Sequence, residues 1–553
     1  MKHFICRPGA SCQRYKIGKL LVQICLSVTL LFTLNTRAQF QWSEYIASIA
    51  NTWPGDVPDV GLALDATDNC YVIGWFDNTN NFGGVTLTNQ STTGGSDIFV
   101  AKYNSTGALD WVRQAGNTPG NSNNGRSIGL DNNGNVYALG GYYGPATFSN
   151  LRIPSPSSGN EGFFLAKYSN AGVIQWVTNA VGISDNLSGF GLAVDGAGNS
   201  YALTFDDGDA GATVTFGSAH VSIPNNYGES TILIKYDTNG NAVWAELLGG
   251  KGEVYSTKVA VDALGNIYVR GTFSSTLTIG STTLTVSDGS EENMFIAKFN
   301  SSGALVWVQQ ATGGDVDEGG VAVDTAGNVY VSGGFDNTLS FGNGIYLTNL
   351  APDAIFGDAF VAKYNSAGSI QWAQSTGGGS GGYFWDMALD GQTNIYAAGF
   401  LGIDAAIAKY SSNGTFQWAY AASGPVGSPV SSLEGKCAVD PAGNCYMAGW
   451  YQGTATFGAN TLQSQEAWNY FLTEVTSAKL VIQTNDANFG VKNHQFGFDI
   501  SGGSGLVVIL ASTNLANAAW VPLITNTLVN GTNYFSDPQW KNYRSRFYRL
   551  ATP

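Results

Sequence analysis

Residues 322–335 read AVDTAGNVYVSGGF, and closely similar stretches recur along the chain. VDALGNIYVRGTF begins at Val261, and VDPAGNCYMAGW begins at Val439. Aligned on the aspartate of this stretch, the chain contains seven copies, with the aspartates at Asp65, Asp131, Asp195, Asp262, Asp324, Asp390 and Asp440. Most copies are 62 to 67 residues apart. A self-similar period of this kind indicates a repeat fold.

Each unit is predicted to contain four β-strands. In the unit quoted above, the short apolar stretch GGVAV (319–323) is followed by the turn DTAGN and by NVYVSGGF, which alternates with period two. A variable segment then leads to DAFVAKY (358–364), the turn NSAG, and SIQWA (369–373). The aspartate of DxxGN can accept backbone N–H bonds and the glycine supplies a positive φ, so we interpret this aspartate as a turn-former rather than an acid catalyst.

Four antiparallel strands repeated seven times predict an all-β protein built as a seven-bladed β-propeller, with an open solenoid as the rival architecture. The seventh unit has a third strand, NYFLTEV (469–475), but no strand with a tryptophan follows it. A predicted strand with a tryptophan lies instead near the N-terminus: FQWSEYIAS (40–48), which contains Trp42. We therefore predict that this strand completes the last blade and removes the open sheet edge. The other six units end in such a strand, at Trp111, Trp176, Trp244, Trp307, Trp372 and Trp418.

The units GVAVDTAGNVYVSGGF and GDAFVAKYNSAGSIQWA resemble the SBBP (seven-bladed β-propeller) repeats of secreted bacterial proteins. The resemblance covers residues 39–478 and implies an exported or cell-surface protein without an assigned reaction. The DxxGN half of the unit is also similar to NHL repeats, some of which belong to lyases. Residues 479–553 resemble the small C-terminal β-sandwich modules of secreted bacterial proteins, and we predict a second domain there, with attachment or sorting as one role.

Residues 1–38 have the pattern of a secretory signal peptide, with basic residues before the apolar run LLVQICLSVTLLFTL (20–34). Later segments contain no run of about 18 unbroken apolar residues, so we expect no integral membrane segment after cleavage. The segment contains six of the 25 basic residues and none of the 40 acidic ones, so cleavage leaves 19 against 40, a net charge of −21. Such an acidic surface disfavours nucleic acid as a partner.

Three cysteines lie beyond the signal segment, Cys70, Cys437 and Cys445. They are odd in number and form no CxxC motif, so neither a disulfide framework nor a zinc site is expected. Cys70 and Cys445 occupy the position that Val136, Ile267, Val329 and Ile395 fill in other units, which indicates small core residues. With His220 and His494 as the remaining histidines, a three-histidine zinc site is excluded.

The two faces of a propeller are expected to differ here. The DxxGN and NSAG turns are short and uniform and fall on one face, whereas the links between strands two and three, and between blades, are long and variable. Variable loops on a rigid scaffold are where recognition usually resides. Aromatic residues at the loop-side ends of strands are the binding candidates, since exposed rings pack on sugars and on proteins. They are Trp53, Trp75, Tyr142, Tyr143, Tyr383, Trp385, Trp450 and Tyr451.

Residues that precede the innermost strands are expected to rim the central channel. Among them, Glu318 and Glu434 could form the acid/base pair of a lyase or glycosidase, although the sequence gives no separation between them. A polar channel rim is also an ordinary structural feature. The full set is Asp59, Arg126, Lys258, Glu318, Trp385, Asp386, Glu434 and Lys436.

Acidic loops on the variable face offer a weaker candidate, a Ca²⁺ site built from oxygen ligands. None of them matches the EF-hand pattern, and solvated acidic loops are the simpler interpretation. They are FDDGDAG with Asp206, Asp207 and Asp209, GGDVDEGG with Asp315 and Asp317, and SDGSEEN with Asp288, Glu291 and Glu292.

The favoured hypothesis is a secreted or surface-attached propeller that binds a carbohydrate or a protein through its variable face. The alternatives are an enzyme acting at the channel mouth and a purely architectural module. No organic cofactor is expected, because no glycine-rich phosphate loop follows a strand and opens a helix.

Overall fold

The structure is a computed structural model. It describes residues 38–49, 59–90, 95–116, 122–156, 161–182, 187–207, 211–287, 289–350, 357–376, 381–402, 404–422, 435–458, 460–464, 468–477, 481–483, 488–492, 495–501, 505–512, 521–528, 532–542 and 547–551. Within these ranges the chain is all-β, apart from a 3-10 turn at Trp540–Asn542. The described residues contain no helix long and apolar enough to cross a bilayer.

Seven four-stranded antiparallel blades form the predicted propeller, which confirms the fold class; six are separate sheets, and the sheet of blade 1 is extended to six strands by a hairpin of blade 2. We number the blades 1 to 7 by their turn aspartates, and the strands of each blade from the first, just before the aspartate, to the fourth. The first strands of successive blades contact one another all the way round, including blade 7 with blade 1. They therefore surround a central channel.

The strands of the first three blades are bounded as follows. Blade 1 has Gly61–Leu64, Cys70–Phe76, Asp97–Tyr103 and Leu109–Gly116; blade 2 has Asn123–Leu130, Val136–Tyr142, Gly162–Tyr168 and Ile174–Asn179; blade 3 has Leu187–Val194, Ser200–Asp206, Ser230–Tyr236 and Ala242–Leu248. A two-residue strand, Val181–Gly182, lies between blades 2 and 3.

The remaining four blades follow the same plan. Blade 4 has Val254–Val261, Ile267–Phe273, Asn293–Phe299 and Leu305–Ala311; blade 5 has Val321–Val323, Val329–Phe335, Asp358–Tyr364 and Ile370–Ser375; blade 6 has Gly382–Leu389, Ile395–Leu401, Asp404–Tyr410 and Phe416–Ala421; blade 7 has Lys436–Val439, Cys445–Tyr451, Trp468–Ser477 and, as its fourth strand, Ala38–Ile49.

The N-terminal strand closes the ring, as predicted. Ala38–Ile49 pairs antiparallel with Trp468–Ser477, and Trp42 lies opposite Glu474. In the other six blades the same register places the tryptophan of the fourth strand opposite the lysine of the third. The N-terminal strand is therefore equivalent to the fourth strands of the other blades, and it removes the edge at which an open array would end.

The core lies between blades. The second and third strands are buried over nearly their whole length, as in Val136–Tyr142 and Gly162–Tyr168, where every residue is buried. Both faces of these central strands are covered because each blade packs face to face on its two neighbours. A middle strand of a propeller is consequently apolar on both sides, whereas the fourth strands remain partly exposed.

The link between the second and third strands is more regular than the sequence indicated. It forms a two-stranded hairpin in six blades, and blade 6 has only a short link. The hairpin of blade 2 pairs with the fourth strand of blade 1, so it joins neighbouring blades. The hairpins are Thr79–Phe82 with Val85–Thr88, Ala146–Phe148 with Leu151–Ile153, Thr213–Phe216 with Ala219–Ser222, Thr276–Ile279 with Thr282–Thr285, Thr338–Gly342 with Ile345–Thr348, and Thr454–Phe457 with Asn460–Gln463.

The repeated DxxGN, Tyr, Lys and Trp residues form a contact between neighbouring blades. In blade 2 the Asp131 carboxylate accepts the Asn133 and Asn135 backbone N–H groups, which confirms its role in the turn. Lys167 lies 3.7 Å from the Asp131 carboxylate. The Trp176 indole N–H donates to the carbonyl of Thr238 in blade 3 at 3.2 Å. These residues therefore serve the scaffold.

The C-terminal residues belong to a separate compact unit from that of Ala38–Ala478. One sheet contains Val481–Gln483, Gly490–Lys492, Gln495–Ser501 and Thr532–Asp537, and the other contains Gly505–Ser512, Val521–Leu528 and Phe547–Ala551. Phe498 and Phe535 of the first sheet cluster with Ile509 of the second. This unit therefore has its own small apolar core.

Candidate functional site

Lys258, Asp386 and Lys436 occupy one equivalent position of the repeat, four residues before the turn aspartate. A Cβ atom at the same position of blade 5, Gly320, would lie 2.6 Å from the backbone nitrogen of Met387. A small residue at this position thus lets neighbouring first strands pack closely. The charged side chains of Lys258, Asp386 and Lys436 are not needed for that packing. The other blades have Gly61, Ser127, Gly191 and Gly320 at this position.

Lys258 and Asp386 form an ion pair inside the ring. The Lys258 ammonium lies 3.2 Å from the Asp386 carboxylate, although the two residues belong to blades 4 and 6. Asp386 also accepts the backbone N–H of Cys437 at 3.1 Å. Burial and the nearby charge of Lys436 lower the pKa of Lys258 to about 8, with Asp386 opposing the shift. Lys258 can therefore exchange a proton near neutral pH.

Bulges interrupt the first strands of four blades around this pair. The register breaks at Arg126 in blade 2, at Phe190 in blade 3 and at Trp385 in blade 6. In blade 4 it breaks between Tyr255 and Lys258. An extra residue in one strand redirects the local side chains, and bulges of this kind are frequent beside functional sites. The bulges thus lie in the same stretch of the first strands as the charged side chains.

Glu318 lies where the first strand of blade 5 is short. That strand comprises only Val321–Val323, whereas the equivalent strand of blade 4 is Val254–Val261. The Thr257 hydroxyl donates to the Glu318 carboxylate at 2.8 Å. Burial raises the pKa of Glu318, while the hydrogen bond from Thr257 and the charge of Arg270 oppose the shift. Burial therefore favours the neutral form of Glu318, and its hydrogen-bonding and charged neighbours favour the ionised form.

Arg270 is a buried cation on the second strand of blade 4, only 1% exposed. Its Nη2 donates to the backbone carbonyl of Asp317. Burial lowers the pKa of Arg270, and the charges of Tyr383, Glu318 and Asp317 oppose that effect. Asp317 itself is exposed at the surface. The other blades have Ile73, Leu139, Leu203, Ser332, Ala398 and Ala448 in the position of Arg270.

Four enclosed polar groups near Glu318 and Lys258 have no hydrogen-bond partner among the described residues. They are the Arg270 Nε, the Tyr383 hydroxyl, the Trp385 indole N–H and the Ser256 hydroxyl. All four can donate, and the Tyr383 and Trp385 rings stack with their centroids 4.2 Å apart. An unsatisfied buried group costs about 1–3 kcal/mol, so a set of them indicates a place for acceptors that a ligand brings.

Unpaired hydroxyls also occur elsewhere among the described residues; four of them follow the repeat, whereas those of Ser200 and Thr204 do not. The hydroxyls of Tyr103, Tyr236, Tyr364 and Tyr410 lack partners and all belong to the repeated third-strand tyrosine. Arg270, Tyr383 and Trp385 have no such equivalents. We call Ser256, Thr257, Lys258, Arg270, Glu318, Tyr383, Trp385 and Asp386 the channel site.

A second charged group joins blades 1 to 3. Arg126 lies 2.7 Å from Asp59 and 3.2 Å from Glu161, and its guanidinium lies 4.4 Å from the centre of the Phe190 ring. Burial by itself lowers the pKa of Arg126, but Glu161 and Asp59 outweigh it and raise the pKa overall. Because one cation bridges two carboxylates and contacts the Phe190 ring, the group is suited to holding the blades together.

The expected exposure of the aromatic residues was wrong for four of them. Tyr142, Trp450 and Tyr451 are 0% exposed and Tyr383 is 4% exposed. Tyr142, Trp450 and Tyr451 end second strands, whose two faces are both covered by neighbouring blades. The half-buried ones are Trp75, Tyr143 and Trp385, and Trp53 lies outside the described residues.

The rim residues separate into two groups rather than one. Lys258, Glu318, Trp385 and Asp386 belong to the channel site, and Arg126 with Asp59 forms the other network. Several of them lie within first strands rather than before them. Glu434, the proposed partner of Glu318, lies outside the described residues. Sequence reasoning missed Arg270, whose signal was the replacement of an apolar or small residue in one repeat only.

The acidic loops do not assemble a metal site in the part of the chain that the structure describes. Asp206 is fully buried at the end of a second strand, and Asp315 accepts the backbone N–H of Glu291 at 2.6 Å. Asp209 lies outside the described residues, as does Asp288. No group of three His, Cys, Asp or Glu residues among those described is arranged to hold a metal ion.

Comparison with known proteins gives a family match and distant likenesses. The SBBP beta-propeller repeat model matches residues 110–140. An uncharacterised WD repeat-containing protein of Acanthamoeba polyphaga mimivirus is 28% identical over 371 residues, which are 55% of this chain and 26% of that protein. The chain thus spans about a quarter of the length of this relative.

Two solved structures illustrate the structural similarity. The polysaccharide lyase Uly1 is 11% identical, with a TM-score of 0.42 over 79% of this chain and 99% of that one. A protein of unknown function from Dyadobacter fermentans is 9% identical, with a TM-score of 0.35 over 80% and 99%. These likenesses assign no activity or ligand. The chain is a seven-bladed β-propeller that contains an SBBP beta-propeller repeat.

Proposed function

We propose that this protein binds a carbohydrate at the channel site. The observation that carries the proposal is the set of four unpaired donors on Arg270, Tyr383, Trp385 and Ser256. They break the repeat, and they lie beside carboxylates. Sugar hydroxyls both accept and donate hydrogen bonds, so one ligand can satisfy the donors and also donate to Glu318 or Asp386. The half-buried Trp385 ring supplies an apolar surface for the C–H face of a sugar.

A carbohydrate fits this site better than a protein surface does. Arg270 lies on a second strand and the other donors on first strands, and Tyr383 is almost fully buried. A protein partner would need exposed anchors, and three of the aromatic residues expected in that role are fully buried. A chain of sugar units is narrow enough to present single hydroxyl groups to individual polar side chains.

Export to the cell surface or the medium is part of the proposal. It is supported by the basic and apolar character of residues 1–38 and by the acidic balance of the rest of the chain. A net charge of −21 without that segment also favours neutral ligands over anionic ones. An exported protein of this kind meets extracellular glycans.

A glycan array followed by calorimetry tests the proposal. A glycan that binds the wild-type protein should lose at least about tenfold in affinity in Trp385→Ala and in Asp386→Asn, as expected when a stacking surface or a charged hydrogen-bond acceptor is lost. Tyr346→Ser is the control, because Tyr346 is an exposed ring on the hairpin of blade 5. An array without any binder, or equal losses in the control, would contradict the proposal.

The affinity for the glycan should also increase as the pH rises from 7 to 9. Because the pKa of Lys258 is lowered to about 8, the ammonium loses its charge between pH 7 and 9, and its bond to Asp386 weakens. Asp386 is then free to accept a stronger bond from the sugar. Lys258→Met should remove this pH dependence in the same calorimetric series.

A second candidate function is acid/base catalysis at the same site. It is favoured by the opposite shifts of neighbouring groups, with the pKa of Glu318 raised by burial and that of Lys258 lowered to about 8. Glu318 would act as the proton donor to a glycosidic oxygen and Lys258 as a base. Product release from polysaccharides that bind, abolished in Glu318→Gln with binding retained, would identify an enzyme. Binding without turnover would leave the carbohydrate-binding function alone.

A further inference from the structure

Three aromatic side chains form a compact group where blade 3 meets blade 4. The centre of the Tyr255 ring lies 5.5 Å from that of Phe190 and 5.0 Å from that of Phe205, and the Phe190 and Phe205 centres are 6.4 Å apart. All three pairs are edge to face, an arrangement that aromatic rings prefer. Each of the three side chains is half-buried. We call Phe190, Phe205 and Tyr255 the second aromatic group.

The second aromatic group lies outside the apolar cores that hold these blades together. Among the described residues, one such core joins blades 2 and 3 and another joins blades 3 and 4, and none of the three rings belongs to either. The repeat does not require a ring at these positions, so packing between blades does not account for the group. The residues equivalent to Phe190 in the other blades are Val60, Arg126, Thr257, Gly319, Trp385 and Gly435.

Blade 6 carries a matching group at equivalent positions of the repeat. Its Tyr383 ring stacks on both Trp385 and Phe400, with ring centres 4.2 and 5.8 Å apart. Because each blade repeats the same strands, equivalent positions lie at the same level of the ring, and both groups lie towards the face opposite the DxxGN turns. The equivalent pairs are Trp385 and Phe190, Phe400 and Phe205, and Tyr383 and Tyr255, which lie respectively five residues before, ten after and seven before the turn aspartate.

The second aromatic group adjoins the channel site. Tyr255 directly precedes Ser256, a member of that site, in the bulged first strand of blade 4. Lys258 of the same strand reaches Asp386 of blade 6 at 3.2 Å. The rings of blade 6, the polar groups of the channel site and the second aromatic group thus follow one another from blade 6 to blade 3. A chain of sugar units repeats its apolar faces and its hydroxyls along its length, which matches rings at both ends and polar groups between them.

We propose that the ligand of the channel site is a linear chain of neutral sugar units, and that its next units pack on the second aromatic group. This inference rests on the proposed function and adds to it a second subsite and a preference for long chains. Half-buried rings offer an apolar surface to the C–H face of a sugar, as Trp385 does at the channel site. Beside Phe190, the single cation of Arg126 faces two carboxylates, so the subsite disfavours acidic sugars.

Calorimetry with fragments of one glycan tests the proposal. The fragments are cut from a neutral glycan that the wild-type protein binds, and they run from the single sugar unit upwards. We expect the affinity of the wild-type protein to rise about tenfold once the fragments are long enough to reach the second aromatic group. Tyr255→Ala should lose that rise and keep the wild-type affinity for the shortest fragment that binds, whereas Trp385→Ala should weaken the binding of both. Tyr255→Phe should keep the rise, because the ring supplies the apolar surface.

Phe205→Leu is the second variant and should show the same loss for long fragments, so the test does not depend on the folding of Tyr255→Ala. Circular dichroism and thermal unfolding verify the fold of each variant, and Tyr346→Ser again serves as the control that should bind every fragment as the wild type does.

The outcomes separate this subsite from the proposed function. An affinity that is independent of chain length, or equal losses for short and long fragments in Tyr255→Ala, would overturn the second subsite and leave carbohydrate binding at the channel site in place. A preference for long chains that persists in both Tyr255→Ala and Phe205→Leu would overturn it as well, as would binding confined to acidic glycans. A protein that binds no glycan at all would overturn both proposals.

Discussion

Single residues of the repeat have two kinds of role. In blades 2 to 6 the turn glycine between the third and fourth strands lies against the tryptophan of the preceding blade: Gly172 against Trp111, Gly240 against Trp176, Gly303 against Trp244, Gly368 against Trp307 and Gly414 against Trp372. These contacts recur because every blade must meet the next one. Residues that occur once, such as Arg270 and Trp385, serve no repeated contact and mark the candidate site.

Gly240→Ala should be more destabilising than Gly217→Ala. Gly240 has a φ of +81°, and a Cβ atom there would lie 2.9 Å from the Trp176 ring. Gly217 also has a positive φ, +59°, but its Cβ would meet no atom within 4 Å. Both variants bear the cost of a positive φ, and the additional crowding at Gly240 should lower the free energy of unfolding by about 1–3 kcal/mol more than Gly217→Ala does.

Denaturant unfolding of the two glycine variants measures this difference. Equal losses of stability would mean that the tryptophan moves aside without cost, and that the contact between blades is not tight. The comparison is sharp because the two positions differ mainly in what surrounds the new methyl group.

Among the elements, the hairpins between second and third strands have a role that the sequence did not predict. Each buries an apolar residue: Phe82, Phe148, Phe216, Ile279, Phe341 or Phe457. In blade 2, Phe148 lies 5.0 Å from the Phe164 ring of its own blade, while its strand pairs with the fourth strand of blade 1. The hairpins therefore stabilise the outer part of the ring, and less of the variable face is free for recognition than the lengths of these segments indicated.

Phe148→Ala should lower the free energy of unfolding by about 3–5 kcal/mol, as expected for the loss of a buried phenylalanine. Thr147→Ala on the same strand is the control, since Thr147 is exposed and should change stability by no more than about 0.5 kcal/mol. Thermal unfolding followed by circular dichroism compares the two variants. A mild effect of Phe148→Ala would show that the hairpin contributes little to the blade.

For the whole molecule, closure of the ring depends on a strand that lies more than 400 residues from its partner in the sequence. Ser43 and Thr473 exchange a hydroxyl hydrogen bond at 2.9 Å across this junction. The closing blade also departs from the repeat, because Glu474 replaces the third-strand lysine and Tyr446 lies within hydrogen-bond distance of it. The junction is held without a covalent link between its first and last strands.

Ile46→Ala should weaken this junction by about 2–5 kcal/mol, because Ile46 is fully buried in the N-terminal strand. Glu44→Ala is the matched control on the same strand, and Glu44 is exposed. Limited proteolysis and urea unfolding should show an earlier transition for Ile46→Ala alone. If both variants behave as wild type, the N-terminal strand is not needed to hold the ring closed.

The sequence by itself determined the repeat, the four strands of each blade and the closure by the N-terminal strand, because these follow from local periodicity and from counting strands. It also predicted that Lys258, Glu318, Trp385 and Asp386 lie at the rim of the channel. Only the tertiary structure decided which aromatic residues are buried, since blade stacking covers both faces of a middle strand. It also decided that Lys258 meets Asp386 beyond an intervening blade, because such a contact depends on the curvature of the ring and not on spacing along the chain.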